Sequence, residues 1–373
     1  MSPVTDHIHS APIHLTGSLS TRGNSIWRKT LESRASCQIT DTNTITNTIT
    51  ITITIAIAIT IAITIAVAVA IMGRQPLVIK WVLDTRPLWP AAKATRDLGT
   101  EVFLTFAARA FALLTAEERA SILKYHFVKD AKLALGSALL KRLAISSHCS
   151  VPWSSAQFVR DARTKPVFLL PDKSEPLVFN VSHQAGLVVL FAVHRPPPQL
   201  SVGVDVVCPS ERRDRDHALV GQDGWTRFVE MHESVLAPGE AARLRALLPL
   251  ARDDADDVGD VDGRLAYFYA LWCLREGYVK MTGEALLAEW LGDLEMRNFR
   301  PPGGGGQLEV WFRGERVEGL DVRLEWFLGD YMICTVVRGV GDDAEALGVR
   351  QQGWELLDVD AVVDAAERAA ASA

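Results

Sequence analysis

Apolar residues recur along the chain with two periods, and the switches between them lay out a fold. The run 77–83, Leu-Val-Ile-Lys-Trp-Val-Leu, predicts a strand, and Asp84-Thr85-Arg86-Pro87 a turn after it. A helical pattern follows through Phe111, and Thr115-Ala116-Glu117-Glu118 is a capping box that opens a helix running to Leu143. Residues 158–168 read as strand, turn, strand. Residues 177–181 form a buried strand leading into Ser182-His183-Gln184-Ala185-Gly186, and 187–193 the strand that returns. Arg195-Pro196-Pro197-Pro198-Gln199 is the interior linker. Beyond it come a strand over 200–207, a polar segment over 208–224, helices over 225–232 and 238–248, and an acidic loop over 253–263. The apolar run 265–281 is the longest predicted helix, with Asp262 to cap its start and Gly283 to end it. Three strands follow the Pro301-Pro302-Gly303 loop, over 308–312, 322–328 and 331–337, with turns at Arg313-Gly314-Glu315 and Gly329-Asp330. Residues 340–373 are acidic and Ala-rich, a tail or a loosely docked helix.

Strands and helices thus occur before the linker and again after it. The expected class is α+β: two pseudo-symmetric halves, 76–198 and 199–339, each a small antiparallel sheet packed with helices, with the active site in the cleft between them. Residues 1–75 stand apart. The first 48 are rich in Ser, Thr, His and Asn without periodicity and read as disordered. Residues 49–71 alternate Ile with Thr or Ala and carry no charge. A simple repeat without a folded role is the first reading, ahead of a membrane or targeting segment or a long strand.

A net charge of -6 argues against bulk nucleic-acid binding, so any grip on an anion must come from a local basic cluster. The five cysteines have no paired spacing, which favours a reducing, cytoplasmic setting over a disulfide framework or a zinc site.

Three stretches carry chemistry. In Trp272-Cys273-Leu274-Arg275-Glu276-Gly277-Tyr278-Val279-Lys280, the residues Trp272, Glu276 and Lys280 share one helix face. By itself this is most simply an ion pair on a solvated face. Gly203-Val204-Asp205 puts a carboxylate inside an apolar strand, which is costly unless it is paired or binds metal. Asn180-Val181-Ser182-His183-Gln184 adds polar groups at a strand end. Asp205 and Glu276 could share Mg²⁺, which favours few protein carboxylates completed by water and phosphate oxygens. Basic residues of the first half would then hold the phosphates, and phosphoryl transfer from a nucleotide-like donor is the implied chemistry.

These stretches resemble the signature motifs of 4'-phosphopantetheinyl transferases, in order and spacing, over residues 77–338. The two-domain, single-chain type that includes the eukaryotic cytosolic enzymes is the nearest. Thr164-Lys165-Pro166 resembles the family's Gly-Lys-Pro turn, and Lys129-Asp130-Ala131-Lys132 its basic helix. The resemblance implies transfer of the phosphopantetheine arm of coenzyme A to a serine of an acyl or peptidyl carrier protein. Asp205 and Glu276 would hold Mg²⁺, with Gln184 or water completing the set. Glu276 would be the base and Lys280 would bind the transferred phosphate. Arg160, Lys165, Ser182 and His183 would hold the coenzyme A phosphates, with Lys129 or Arg119 contributing, and Arg275 would supply a further cation. Thr164 in place of Gly implies a turn that avoids positive φ. A monomer serving fatty-acid, polyketide or lysine pathways, without nucleic-acid or membrane partners, completes the expectation. The competing readings are a Mg²⁺-dependent coenzyme A or nucleotide pyrophosphatase and a non-catalytic carrier-binding homologue.

Overall fold

The computed structural model describes residues 54–55, 57–62, 64, 75–94, 106–247, 257–284, 288–304, 306–339, 347–349 and 351–371. The expectations for residues 1–48, and for most of the 49–71 run, lie outside these. Residues 1–73 and 74–373 are separate compact units. In the first unit the described residues are helical, with Ile55, Ile57, Ile59 and Ile61 exposed. Among the described residues no helix is long and apolar enough to cross a membrane.

The second unit opens with strand β1 (Leu77–Asp84) and helices α1 (Phe106–Ala112), α2 (Ala116–Ile122) and α3 (Val128–Cys149). A short hairpin, β2 (Val159–Arg160) and β3 (Pro166–Val167), precedes the long hairpin β4 (Leu177–Gln184) and β5 (Leu187–His194). Past the linker come β6 (Ser201–Val207), α4 (Pro209–Asp223), α5 (Trp225–Glu230), α6 (Pro238–Arg245) and the long helix α7 (Asp257–Thr282). Strands β7 (Leu294–Arg297), β8 (Glu309–Phe312), β9 (Glu315–Arg316), β10 (Leu320–Phe327) and β11 (Tyr331–Arg338) follow, then β12 (Glu355–Leu357) and α8 (Val359–Ala371).

Two sheets pack face to face with helices outside them. The sheet β12-β1-β5-β4 sends Ile79, Leu83, Val188 and Leu190 outward onto α3, and Val82, Val189 and Phe191 inward. The sheet β10-β11-β6 sends Val204, Val206 and Ile333 inward to meet them, and Met332, Cys334 and Val336 outward onto α7. Strand β5 is buried on both faces, which is why it reads as an unbroken apolar run. Helix α7 lies directly on β6 and β11. A methyl on Gly203 would sit 2.2 Å from the Gly277 carbonyl oxygen, and one on Gly277 2.8 Å from Cys334 Sγ.

Four expectations are corrected. The helix expected over 115–143 is two helices broken at 123–127, although the capping box at Thr115 and Glu118 is present. The polar segment 208–224 is helix α4, started by Pro209 at its first turn. Helix α7 is already formed at Asp257, so Asp262 lies inside it and pairs with Arg213 (2.7 Å) and His217 (2.6 Å) of α4 rather than capping it. Gly283 does end it, at φ +80°. The expected tail is folded onto the first half: β12 pairs in parallel with β1, and Val359, Val362, Val363 and Ala366 enter the core against α3.

Candidate active site

Strand β6 pairs with β11 on one edge only. Its other edge faces β4, whose polar side chains take the place of a neighbouring backbone. Asn180 Oδ1 accepts from Val204 N (3.2 Å), Ser182 Oγ from Val206 N (3.3 Å) and Gln184 Oε1 from Cys208 N (3.2 Å). Each pair is 24 residues apart. An alternating polar row on an otherwise buried strand therefore satisfies a free sheet edge.

Asp205 sits within this ladder, 5% exposed. Its Oδ1 accepts from Ser182 Oγ (2.9 Å) and from Lys280 Nζ (2.6 Å), and Lys280 Nζ also donates to Ser182 Oγ (2.7 Å). Burial works against the Lys280 charge, but Asp205 and then Glu276 outweigh it and raise its pKa. Glu276, one turn before Lys280, has no hydrogen-bond partner among the described residues. Burial first, and the Asp205 charge second, push its carboxyl up to about 7. This is a pair of carboxylates short of positive charge.

The other expected residues divide. His183 stands at the end of β4; desolvation, then the Lys280 ammonium, lower its pKa. Lys129 is exposed, beside Glu211 at 4.0 Å, in a cleft of about 340 Å³ with Arg86 and Gly186. Ser182 is engaged by three protein groups, and the Gln184 oxygen by Cys208, so both expected ligands already serve the ladder. Arg160 is held by the carbonyl of Thr164 (2.6 Å), and Arg119, away on α2, by that of Phe111 (3.3 Å). Lys165 donates to Val202 O (3.2 Å) and Met281 O (3.4 Å). Arg275 is a correction. It is 2% exposed and donates to Glu240 (2.6 Å) and to the carbonyls of Leu291 and Leu294. It lies about 100° round the helix from Glu276, in the protein interior. Thr164 is another: its φ is +67°, so the turn keeps the left-handed conformation without glycine. Sequence reasoning passed over Asn180, whose signal was the every-second-residue polar pattern with Ser182 and Gln184.

Residues 105–195 match the family profile "4'-phosphopantetheinyl transferase, N-terminal", and residues 201–336 that of the "4'-phosphopantetheinyl transferase superfamily". The chain is 53% identical over 295 residues to 4'-phosphopantetheinyl transferase 1 of Fusarium mangiferae, covering 79% of this chain and 97% of that one. The protein belongs to the 4'-phosphopantetheinyl transferase superfamily. It is also 30% identical to the 4'-phosphopantetheinyl transferase NpgA of Emericella nidulans (73% and 85% covered). To the human L-aminoadipate-semialdehyde dehydrogenase-phosphopantetheinyl transferase it is 28% identical over 173 residues (46% and 48%). As a phosphopantetheinyl transferase it belongs to a family whose substrate is coenzyme A. In this transferase a small cavity of about 140 Å³ opens between the end of β6 and α7. It is lined by Gln184, Arg212, His232, Phe268 and Trp272, with Trp272 one turn before Glu276.

Proposed function

We propose that the protein transfers the 4'-phosphopantetheine arm of coenzyme A to a serine hydroxyl of an apo acyl or peptidyl carrier protein. The products are the holo-carrier and adenosine 3',5'-bisphosphate. The observation that carries this reading is Glu276, unpartnered and titrating near neutrality, beside the Asp205–Lys280–Ser182 cluster.

The residues fit a divalent cation. Asp205 Oδ2 and the Glu276 carboxylate have no hydrogen-bond partner among the described residues, and Lys280, on Asp205 Oδ1, is the one ammonium among them bonded to the pair. Among the described residues no three His, Cys, Asp or Glu stand together as a ligand set, so two carboxylates are what the chain offers. That suits Mg²⁺ with water and pyrophosphate oxygens. Bound there, Mg²⁺ would supply neutralising charge to the pyrophosphate. The chain's own groups do the rest. Glu276, directly or through water, takes the serine proton as the serine oxygen forms its bond to the pantetheine-bearing phosphorus. Lys280 stabilises the bisphosphate as the bridging P–O bond breaks. His183 and Lys129 border the donor's phosphates. We read the enzyme as a cytoplasmic monomer: the described cysteines are free thiols, and one chain carries both halves of the site. Carrier domains of fatty-acid, polyketide or lysine-pathway enzymes are the candidate acceptors, the last suggested by the human relative's name.

Intact mass of an apo-carrier incubated with the protein, coenzyme A and Mg²⁺ tests the reading. A phosphopantetheine mass gain is expected, and its loss in Asp205→Ala and Glu276→Ala. Coenzyme A consumed without a gain would identify a pyrophosphatase instead. Carrier binding with coenzyme A left intact would identify a non-catalytic homologue.

A further inference from the structure

Lys165 was expected to grip a phosphate, yet its ammonium is turned into the protein. It reaches from the β2–β3 hairpin of the first half to two backbone carbonyls of the second. One is Val202 O on β6 (3.2 Å), three residues before Asp205; the other is Met281 O (3.4 Å), one residue after Lys280. Its neighbour Arg163 donates to Thr282 O (3.1 Å). Met281 and Thr282 lie in the last turn of α7, where carbonyls lack partners within the helix and a cation is favoured by the helix dipole. Gly283, at φ +80°, closes the contact: a Cβ there would lie 3.4 Å from the Cβ atoms of both Arg163 and Lys165. Asn180 makes the same kind of link from β4, accepting from Val204 N and donating to Lys280 O at 3.5 Å.

We propose that Lys165, with Arg163, is a positioning residue. It braces the end of α7 against β6 and so fixes Glu276 and Lys280 relative to Asp205, rather than ligating the donor's phosphates. The hairpin is thereby a strap from one half to the signature helix of the other.

The test is K165M in the full chain, read three ways. Hydrogen exchange over residues 276–284 should quicken at least tenfold. Coenzyme A affinity should stay within threefold. The single-turnover transfer rate should fall tenfold or more. Only the rate rests on the proposed function: if the wild type transfers nothing, that reading fails while exchange still tests the brace. Unchanged exchange, or a tenfold or greater loss of coenzyme A affinity, overturns the proposal. Should K165M fail to fold, R163A takes its place, with exchange at 280–284 expected to quicken about threefold. No change there overturns it.

Discussion

Glu276 binds its proton more tightly in the folded chain, up to about 7, than at its ordinary value of 4.5. Its contribution to stability is therefore complete below pH 4.5 and is lost as the pH rises through 7, by at most roughly 3–4 kcal/mol at 1.36 kcal/mol per unit. Without metal, melting of the wild type should fall relative to E276Q between pH 5 and 8. If Glu276 holds Mg²⁺ as proposed, added Mg²⁺ should recover more of it at pH 8 than at pH 6, metal and proton then competing for one carboxylate. Thr164, left-handed at φ +67°, is expected to gain roughly 0.5–1 kcal/mol on replacement by glycine in a denaturant titration, the relieved strain exceeding glycine's entropy cost. At this scale the sequence was informative about what residues are and less so about where they point. Asp205 stood out because a charge inside an apolar strand needs partners, and Ser182 and Lys280 supply them; Glu276 and Lys280, read by spacing alone, were an ion pair on a solvated face. Arg275 and Lys165 look like free cations in sequence, and only helical phase and the reach of a long side chain send them to buried carbonyls.

Among elements, α7 carries Glu276 and Lys280 and is held from two sides. Beneath it, Gly203 and Gly277 permit near contact with β6 and β11, so G203A should cost about 3 kcal/mol or more in thermal unfolding. Behind it, Glu240 of α6 accepts from Arg275, Met296 N and Ala237 N, and E240A would leave a buried guanidinium unpaired at a cost of about 3–5 kcal/mol. The β-hairpins were readable from turn chemistry: Ala185-Gly186, Arg313-Gly314 and Leu328-Gly329 all take positive φ. Helix α4 was not, because only Asp216 and Val220 of its side chains are buried and little apolar period remains to detect. The break between α2 and α3 was hidden for the opposite reason: Leu123, Tyr125 and Phe127 continue the apolar pattern although the fold leaves them exposed.

Across the whole molecule the two halves are joined less by the Pro linker than by the polar ladder, the strap and the shared sheet-to-sheet core. Truncation to residues 74–373 should leave the melting temperature unchanged, since 1–73 is a separate unit. Removing 354–373 should not be tolerated. It takes Val359, Val362 and Val363 from the core, on the order of 5 kcal/mol at about 1.5–3 each, a large share of a typical domain's stability; loss of soluble protein on expression would show it. The spacing 359, 362, 363, 366 is a helical core face that the acidic, Ala-rich composition disguised as a tail. Its position has a consequence for synthesis. The half that is translated first receives its closing strand and helix, Glu355–Leu357 and Val359–Ala371, from residues that follow the whole of the second half in the chain. Until then β1 lacks its parallel edge partner and α3, which already covers the sheet, lacks the helix that packs against it, while α7 already has β6 and β11 to pack on. The second half can fold as it is translated, whereas the core of the first is completed only when Val359, Val362, Val363 and Ala366 emerge, leaving the apolar surface they cover exposed until then.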